Sequence, residues 1–366
     1  MRAMIALVFF AATSVFAGDV TKSYETVKVA DGVYAFVAPE PKSGVVNGNT
    51  TVIIGEDGVL VVDTGQFPTL AKRMIADIRK LTDKPVRFVV NTHWHWDHNL
   101  ANYVYREAFP NAAIISTPFT RDSLVDFTPR FLEGFAKNGD QFLAALRAQL
   151  ASGKKRDGSP MSADEKANLG DMLHDAELGL PEVRQARLEA PNLTFTTTLT
   201  LHLGHREAQV VYLGRGNTAG DAVVYVPDAK VLATGDLVVA PTPYATAAYI
   251  GDWIQTMKKL LAIDAAAIVP GHGPVMRDKK YAQTILALLE SVKTQVDAAV
   301  SDGLDLEATK KRVDLDAFRR QLAGDDRNRR AAFDDYFAGS AIESAWKQAK
   351  GLETSESPYP PPSRSE

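Results

Sequence analysis

The sequence of 366 residues contains no cysteine. This absence excludes disulfide bonds, a thiol nucleophile and any metal site built on thiolate ligands. The sequence also lacks a strong excess of charge, because its formal net charge is −4. We therefore expect no marked electrostatic attraction to nucleic acid or to an anionic membrane surface. Its content of 45% hydrophobic and 23% charged residues suits a soluble globular protein of one large domain or two domains.

The N-terminus begins with a short basic segment that contains Arg2. An apolar run follows at 3–16, and residues 15–17 have the −3 and −1 pattern of a cleavage site after Ala17. This pattern is typical of a secretory signal peptide, and the run is shorter than the about 20 residues that a membrane span needs. We therefore expect residues 1–17 to be removed, which leaves 40 basic and 45 acidic residues and a net charge of −5. The mature protein would be exported, periplasmic or secreted, without a stable membrane anchor. A buried N-terminal strand or helix is the alternative.

Strand and helix patterns alternate between about residue 24 and residue 300. Alternating or continuous apolar runs bounded by turn residues predict strands at 25–29, 33–37, 51–54, 59–62, 86–90, 112–116, 193–203, 209–213, 222–226, 230–234 and 266–269. Apolar residues at helical spacing predict helices at 69–82, 97–109, 252–263 and 279–301. These patterns predict a layered α/β domain, in which functional groups commonly follow strand ends.

Two regions depart from this alternation. Residues from about 119 to 191 have helical spacing, with a capping residue at Ser162, and predict a helical insertion that covers a cleft or, alternatively, only pads the core. The segments 306–323 and 328–350 predict a helical C-terminal extension over residues 301–352, whose charged runs we interpret as solvated helix faces. The Ser- and Pro-rich tail, 353–366, is expected to be disordered.

The densest group of chemically active side chains lies in the stretch Asn91 to His98. Three of the chain's seven histidines, His93, His95 and His98, fall there together with Asp97. Imidazole nitrogen and carboxylate oxygen are the ligands that zinc prefers when no thiolate is available. The stretch therefore predicts a metal site, and an aromatic-rich loop with merely exposed histidines is the alternative.

Further motifs follow in a characteristic order. The chain has Asp63-Thr64-Gly65 after a strand, then His93-x-His95-x-Asp97-His98, then residues 214–221 (GRGNTAGD), Thr234-Gly235-Asp236 and Pro270-Gly271-His272-Gly273. Over about residues 24–300 this order closely resembles the metallo-β-lactamase-fold hydrolase superfamily. The resemblance implies an αββα sandwich, with two β-sheets face to face, helices outside and a metal site along one sheet edge.

The resemblance also implies the ligands of one or two zinc ions. Site 1 would take His93 and His95. Site 2 would take Asp97, His98 and His272. Asp236 would bridge both ions, and Asp63 would orient a ligand without binding metal. Such an ion lowers the pKa of a bound water to about 7 and so supplies hydroxide at neutral pH. Asp97 and Asp236 are the catalytic candidates, because Asp97 could also accept a proton during turnover.

One position departs from the family pattern. Members of the family normally have a histidine before the residue that corresponds to Thr218, and this chain has Asn217. An amide oxygen is a weak zinc ligand beside imidazole. We therefore expect site 2 to fill first and site 1 to be weakened or to prefer another metal. The alternative is that Asn217 coordinates and both sites work. His205 could in principle replace the missing ligand, although nothing in the sequence places it near the others.

Aromatic residues flank the predicted site. Trp94 and Trp96 lie between the histidines, and Tyr244 and Tyr249 belong to the loop 241–249 after the predicted bridging aspartate. We interpret all four as candidate contacts of a small-molecule substrate, and packing within the loop is the alternative.

The sequence thus predicts an exported zinc-dependent hydrolase that acts on an ester, lactone, thioester or amide bond. A dedicated β-lactamase is less favoured, since β-lactamases of this fold generally lack the bridging aspartate that Asp236 supplies here. A nuclease is disfavoured by the negative charge and the predicted export. The alternative from another class is a metal- or ligand-binding protein whose hydrolysis is weakened or lost because of Asn217.

Overall fold

The structure is a computed structural model that describes residues 21–42, 46–155, 157–246 and 248–352. The predicted signal peptide and the predicted disordered tail at 353–366 lie outside the described residues and stay predictions. Among the helices that the structure describes, none is both long enough and apolar enough to cross a membrane.

The first sheet contains the N-terminal strands. Its seven strands lie in chain order, β1 (Glu25–Ala30), β2 (Val33–Val37), β3 (Thr50–Ile54), β4 (Val59–Val62), β5 (Val86–Val90), β6 (Ala113–Ser116) and β7 (Leu193–Thr194). Strands β1 to β4 pair antiparallel, with short turns between β1 and β2 and between β3 and β4 and a longer connection between β2 and β3. From β4 to β7 the pairing is parallel, so the carboxyl ends of β4 and β5 meet at one edge of the sheet.

The second sheet contains five strands, β8 (Thr198–Leu203), β9 (Arg206–Tyr212), β10 (Ala222–Val226), β11 (Val231–Ala233) and β12 (Ala267–Val269), in the spatial order β12-β11-β10-β9-β8. Strands β8 to β11 pair antiparallel, whereas β11 and β12 pair parallel. A second pair of carboxyl ends therefore meets at one edge of this sheet.

The two sheets pack face to face through a shared apolar core. In β4, Leu60 and Val62 belong to this core, while Val59 and Val61 point to the opposite face. In β10, Val224 likewise faces the other sheet and Val223 faces outward. Successive side chains of a strand point to opposite faces, so strands that are buried on both faces require helices on the outside of each sheet.

Helices cover both outer faces. The helices are α1 (Pro68–Leu81), α2 (Trp96–Asn99), α3 (Asn102–Ala108), α4 (Pro118–Ser152), α5 (Ala163–Val183), α6 (Ile250–Ala262), α7 (Lys280–Ser301), α8 (Leu306–Arg312), α9 (Asp316–Ala323), α10 (Arg327–Ala332) and α11 (Gly339–Ala349), with a π-helical turn at Phe333–Ala338. Helices α1 and α3 pack on the first sheet. Helices α6, α7 and the C-terminal extension pack on the second. The architecture is the αββα sandwich that the sequence predicted.

The helical insertion is a hairpin of α4 and α5. Ser162 caps α5 with the reciprocal hydrogen bonds of a capping box, as predicted. Leu143 and Leu146 of α4 pack against Ala176 and Leu180 of α5.

Several predicted helices and strands are divided. The segment 97–109 forms α2 and α3, 193–203 forms β7 and β8, and 306–323 forms α8 and α9. Periodicity along the sequence does not show where such short breaks occur.

Candidate metal centre

The predicted ligands come from the ends of the two parallel strand pairs. Asp63 follows β4, and the stretch that begins at His93 follows β5. Asp236 follows β11 in a 3-10 turn (Gly235–Leu237), and His272 follows β12. Because the carboxyl ends of parallel neighbours lie at the same edge, each sheet contributes part of one cluster at the edge of the sandwich.

Three of the predicted site 1 ligands lie together. His93 Nε2 is 3.0 Å from His95 Nδ1 and 3.5 Å from Asp236 Oδ2, and His95 Nδ1 is 3.9 Å from the same oxygen. All three side chains are buried or nearly so. They form one of two groups of His and acidic side chains, in the part of the chain that the structure describes, whose ligand atoms are close enough to hold a metal ion.

The other group consists of the predicted site 2 ligands Asp97, His98 and His272. His272 Nε2 is 3.0 Å from Asp97 Oδ2 and 3.1 Å from His98 Nε2. Asp236 Oδ1 lies 3.1 Å from His98 Nε2, while its Oδ2 faces site 1. One carboxylate thus presents one oxygen to each group, which is the arrangement that a bridging ligand requires.

Asp63 fixes the orientation of ligands in both groups. It accepts hydrogen bonds at 2.8 Å from the backbone N–H and from the hydroxyl of Thr92, and it lies 2.9 Å from His98 Nδ1. The Thr92 hydroxyl is in turn 2.9 Å from His93 Nδ1. This network assigns the ring protons of His93 and His98 to Nδ1 and leaves each Nε2 free for a metal ion. Thr92 was not singled out from the sequence, because its role depends on a contact with a residue 29 positions earlier.

Asn217 is buried and is linked to site 1 through Tyr244. Its Nδ2 donates a 2.5 Å hydrogen bond to the backbone oxygen of Tyr244, and the Tyr244 ring contacts that of His95 with centroids 5.4 Å apart. The Asn217 Oδ1 atom is buried without a hydrogen-bond partner, whereas Asp236 Oδ1 lies 3.1 Å from His98 Nε2 and 3.6 Å from His272 Nε2. Buried polar atoms of this kind require an explanation, and a cation bound by these side chains supplies one. The donor set of imidazole and carboxylate groups fits zinc.

The charges of the cluster suit a cation. Burial by itself would raise the pKa values of Asp97 and Asp236, but the neighbouring histidines, His98 foremost, lower both well below the usual range. Burial, together with the positive charge of His98, lowers the pKa of His93 to about 4. The carboxylates are therefore ionised and His93 is neutral near pH 7. Burial would lower the pKa of His98, but the carboxylates of Asp236, Asp97 and Asp63 raise it well above its ordinary value, so a bound metal ion would displace a proton from His98.

At two glycines the backbone passes so close to a ligand that a side chain would collide with it. A Cβ atom added to Gly271 would lie 2.0 Å from Asp236 Oδ1, and one added to Gly48 would lie 2.5 Å from His98 Cε1. Gly48 also donates a backbone hydrogen bond to the Asp97 carbonyl oxygen. Gly48 was missed in the sequence, because its segment carries no catalytic side chain that would mark it.

Residues 43–272 match the family model of the metallo-beta-lactamase superfamily. This match covers well over half of the chain and includes both ligand groups.

The chain belongs to the metallo-beta-lactamase superfamily.

Individual members of the superfamily resemble the chain at low identity. The linear primary-alkylsulfatase of Pseudomonas sp. (strain ATCC 19151) is 24% identical over 251 residues, which cover 65% of this chain and 43% of that protein. The chain thus matches less than half of the alkylsulfatase's length. A metallo-beta-lactamase type 2 of Elizabethkingia meningoseptica is 21% identical over 61% of this chain and 88% of its own length.

Solved structures of the superfamily share the fold. A stereoselective inverting sec-alkylsulfatase from Pseudomonas sp. superposes with a TM-score of 0.61 at 17% identity, covering 92% of this chain and 52% of that one. A metallo-beta-lactamase from Pontibacter korlensis gives a TM-score of 0.50 at 21% identity, covering 73% of this chain and 99% of its own. These likenesses establish the fold and leave the substrate open.

The candidate metal centre opens into a cavity of about 660 Å³. His95, Asp97, Asp236 and His272 lie on its wall, and so do three of the predicted substrate contacts, Trp94, Trp96 and Tyr244. The Trp96 ring stacks on Phe131 of α4 at a centroid distance of 3.6 Å. The insertion therefore borders the cleft, as one of the two interpretations of its sequence proposed.

The placement predicted for Tyr249 at the mouth of the site is corrected by the structure. Its ring is buried under the guanidinium group of Arg215, 4.4 Å from the ring centroid, at the start of α6. Tyr249 is absent from the residues that line this cavity. The physical reason is that the loop turns back into the core after Tyr244. His205 is also remote, because its side chain is 95% exposed beside Glu56.

Proposed function

We propose that the chain is a zinc-dependent hydrolase that cleaves an ester, lactone, thioester or amide bond of a small molecule with water. The observation that carries this proposal is the shared carboxylate of Asp236 between two ligand groups at the wall of an open cavity. Zinc bound there would lower the pKa of a water molecule and polarise the bond to be cleaved.

The protein's own residues supply the remaining parts. Asp236 sets the separation of the two ligand groups, because each of its oxygens faces one of them. Asp97 Oδ2 lies at the cavity wall, 3.0 Å from His272 Nε2. From there it can accept the proton that an attacking water loses, which is general base catalysis by a positioned carboxylate. Trp94 and Trp96 line the cavity beside it.

We propose that site 2 is the tighter site. Asp97, His98 and His272 give it a full set of strong ligands, whereas site 1 has His93, His95 and the shared Asp236, with Asn217 at the sequence position of the usual histidine. The same observation supports the second candidate, a metal- or ligand-binding protein with weakened hydrolysis. A sulfate ester is a further candidate substrate, supported by the alkylsulfatase relative.

A substrate panel with purified, zinc-supplemented protein tests the proposal. It contains a chromogenic carboxylic ester, a lactone, a thioester, a sulfate ester and a cephalosporin. We expect turnover of at least one ester-type substrate and its loss in His98→Ala. The matched control is His202→Ala, whose side chain is 66% exposed on β8 and which should keep full activity. Tight zinc binding without turnover of any substrate would favour the binding protein instead.

Export is a separate proposal, which the pattern of residues 1–17 supports. Expression of the full chain with secretion and N-terminal sequencing of the product test it. We expect a mature N-terminus at Gly18, and a product that retains Met1 in the cytoplasm would contradict export.

A further inference from the structure

The cavity extends from the metal centre into an apolar chamber. We define this chamber by six lining residues, Phe131, Phe135, Leu143, Met172, Leu180 and Ala332. The first five belong to the α4–α5 insertion and the last to α10 of the C-terminal extension. At about 660 Å³ the whole cavity is within the range of small-molecule sites, about 300–1,000 Å³. Water gains few hydrogen bonds from such walls, so the chamber favours an apolar occupant.

The walls are held together by polar contacts between distant segments. Arg327 of α10 contacts Asn168 and Asp171 of α5. Its neighbour Arg329 makes two hydrogen bonds to Glu40, at 2.6 and 2.8 Å. These contacts correct our expectation that the charged runs of the extension are merely solvated helix faces. The C-terminal extension is a fixed wall of the chamber rather than a separate appendage.

The charged residues that line the cavity indicate how an elongated ligand would be oriented. The bidentate pair with Glu40 neutralises Arg329, the cationic side chain that this wall contributes to the cavity, and Lys42 lines the cavity outside the six residues of the chamber. Two histidines and both carboxylates of the metal centre line the same cavity, namely His95, His272, Asp97 and Asp236. A polar or charged group therefore finds its partners at the metal centre, and an attached apolar group finds its partners in the chamber.

We propose that the substrate is an amphiphile, whose cleavable polar group lies at the metal centre and whose apolar chain lies in the chamber. This inference rests on the proposed hydrolase function and adds the substrate class to it. Along α4, Phe131 and Leu143 are separated by twelve residues, or about 18 Å at the rise of an α-helix. Carbon–carbon bonds of about 1.5 Å advance a zigzag chain by roughly 1.25 Å each, so the chamber accommodates a chain of roughly 10 to 14 carbons.

A chain-length series tests the inference. The probes are p-nitrophenyl esters with acyl chains from acetate to tetradecanoate, each used below its critical micelle concentration. We expect kcat/KM to rise with chain length by up to about fourfold per methylene, the limit for full burial at about 0.8 kcal/mol, and to level off between 10 and 14 carbons. Hydrolysis of the acetate ester with no increase along the series would overturn the inference and leave the hydrolase proposal standing.

Two chamber variants locate the effect. Met172→Glu places a carboxylate against the chain, and we expect the ratio of decanoate to acetate kcat/KM to fall by at least about tenfold. Met172→Leu, which conserves volume, should keep most of that ratio. Ala332→Trp fills part of the chamber and should move the plateau to shorter chains, whereas Ala349→Trp, at an exposed position of α11, should not. Equal profiles for Ala332→Trp and Ala349→Trp would contradict the assignment of the chamber.

A binding measurement separates the two proposals. Decane-1-sulfonate has no ester bond, and its affinity for the zinc-loaded protein can be measured by isothermal titration calorimetry without turnover. We expect binding that weakens in Met172→Glu and with ethane-1-sulfonate. Chain-dependent binding by a protein that hydrolyses no substrate would support the chamber and refute the hydrolase, whereas equal binding of both sulfonates would refute the chamber. Far-UV circular dichroism checks that each variant is folded.

Discussion

Asp63→Asn tests whether one carboxylate orients the ligands of both metal sites. Asp63 is buried and accepts hydrogen bonds from the N–H and hydroxyl of Thr92 as well as lying 2.9 Å from His98 Nδ1. Its backbone has a φ of 60°, a left-handed conformation that Asn also tolerates. The substitution therefore keeps shape and backbone while it removes the negative charge and turns one acceptor into a donor.

The expected effect follows from those contacts. Loss of an outer hydrogen-bond partner typically lowers metal affinity by about 10- to 100-fold, which corresponds to about 1.4 to 2.7 kcal/mol. In Asp63→Asn, site 2 should lose affinity because an amide N–H₂ group in place of Oδ2 cannot accept the hydrogen bond from His98 Nδ1. Site 1 should lose affinity as well, because Thr92 no longer holds His93 firmly. In Thr92→Val the contact of Asp63 with His98 remains, so site 1 should be affected and site 2 should be nearly intact.

Zinc titration against a chelating indicator measures both sites in one experiment. We expect the wild-type protein to show one tight site, Asp63→Asn to weaken that site, and Thr92→Val to leave it within about threefold. The thermal midpoint of each protein in excess chelator controls for a general loss of stability. Wild-type affinity of the tight site in Asp63→Asn would refute the reasoning, and so would an equal loss of that site in both variants.

Three further predictions follow from other contacts. Asn217→His should raise the tightly bound zinc per chain from about one ion towards two, measured by atomic emission after dialysis, and two tight ions in the wild type would contradict this. Removal of zinc by chelation should lower the stability of the wild type, by about 2.7 kcal/mol relative to zinc at 100 times its dissociation constant, and His98→Ala should respond much less in the same thermal unfolding assay. Asp77 accepts hydrogen bonds from Lys80 and Tyr24; burial raises its pKa, but these partners lower it more, to below its ordinary value of 3.8. The contribution of Asp77 to stability is therefore fully present above its ordinary pKa and is lost as pH falls through its lowered pKa. Asp77→Asn should cost about 1 kcal/mol at pH 7 and progressively less as pH falls through the lowered pKa, measured by urea unfolding across that range. A cost that does not change with pH would refute it.

The sequence predicts the layers of this fold better than their connections. Strands such as β4 and β10 are apolar on both faces, and this alone demands a sheet that is covered on each side. The metal ligands were identifiable because they sit in short motifs at strand ends. The hydrogen bond between Thr92 and Asp63 was not identifiable from the sequence, since it depends on the parallel pairing of β4 with β5. Local pattern cannot distinguish that pairing from other arrangements of the same strands.

The C-terminal extension is a second case in which the sequence pattern predicts the helices but not their contacts. Its amphipathic segments predict helices, but the pattern does not state which surface they cover. In the structure, Phe333 and Phe337 anchor the extension in the core against the second sheet, while Arg327 and Arg329 on the same segment reach α5 and Glu40. One short stretch of helix therefore connects the sandwich, the insertion and the loop before β3. Because these contacts close the chamber beside the metal centre, substitutions at Arg327 should alter chain-length preference before they alter the chemistry at the metal ligands.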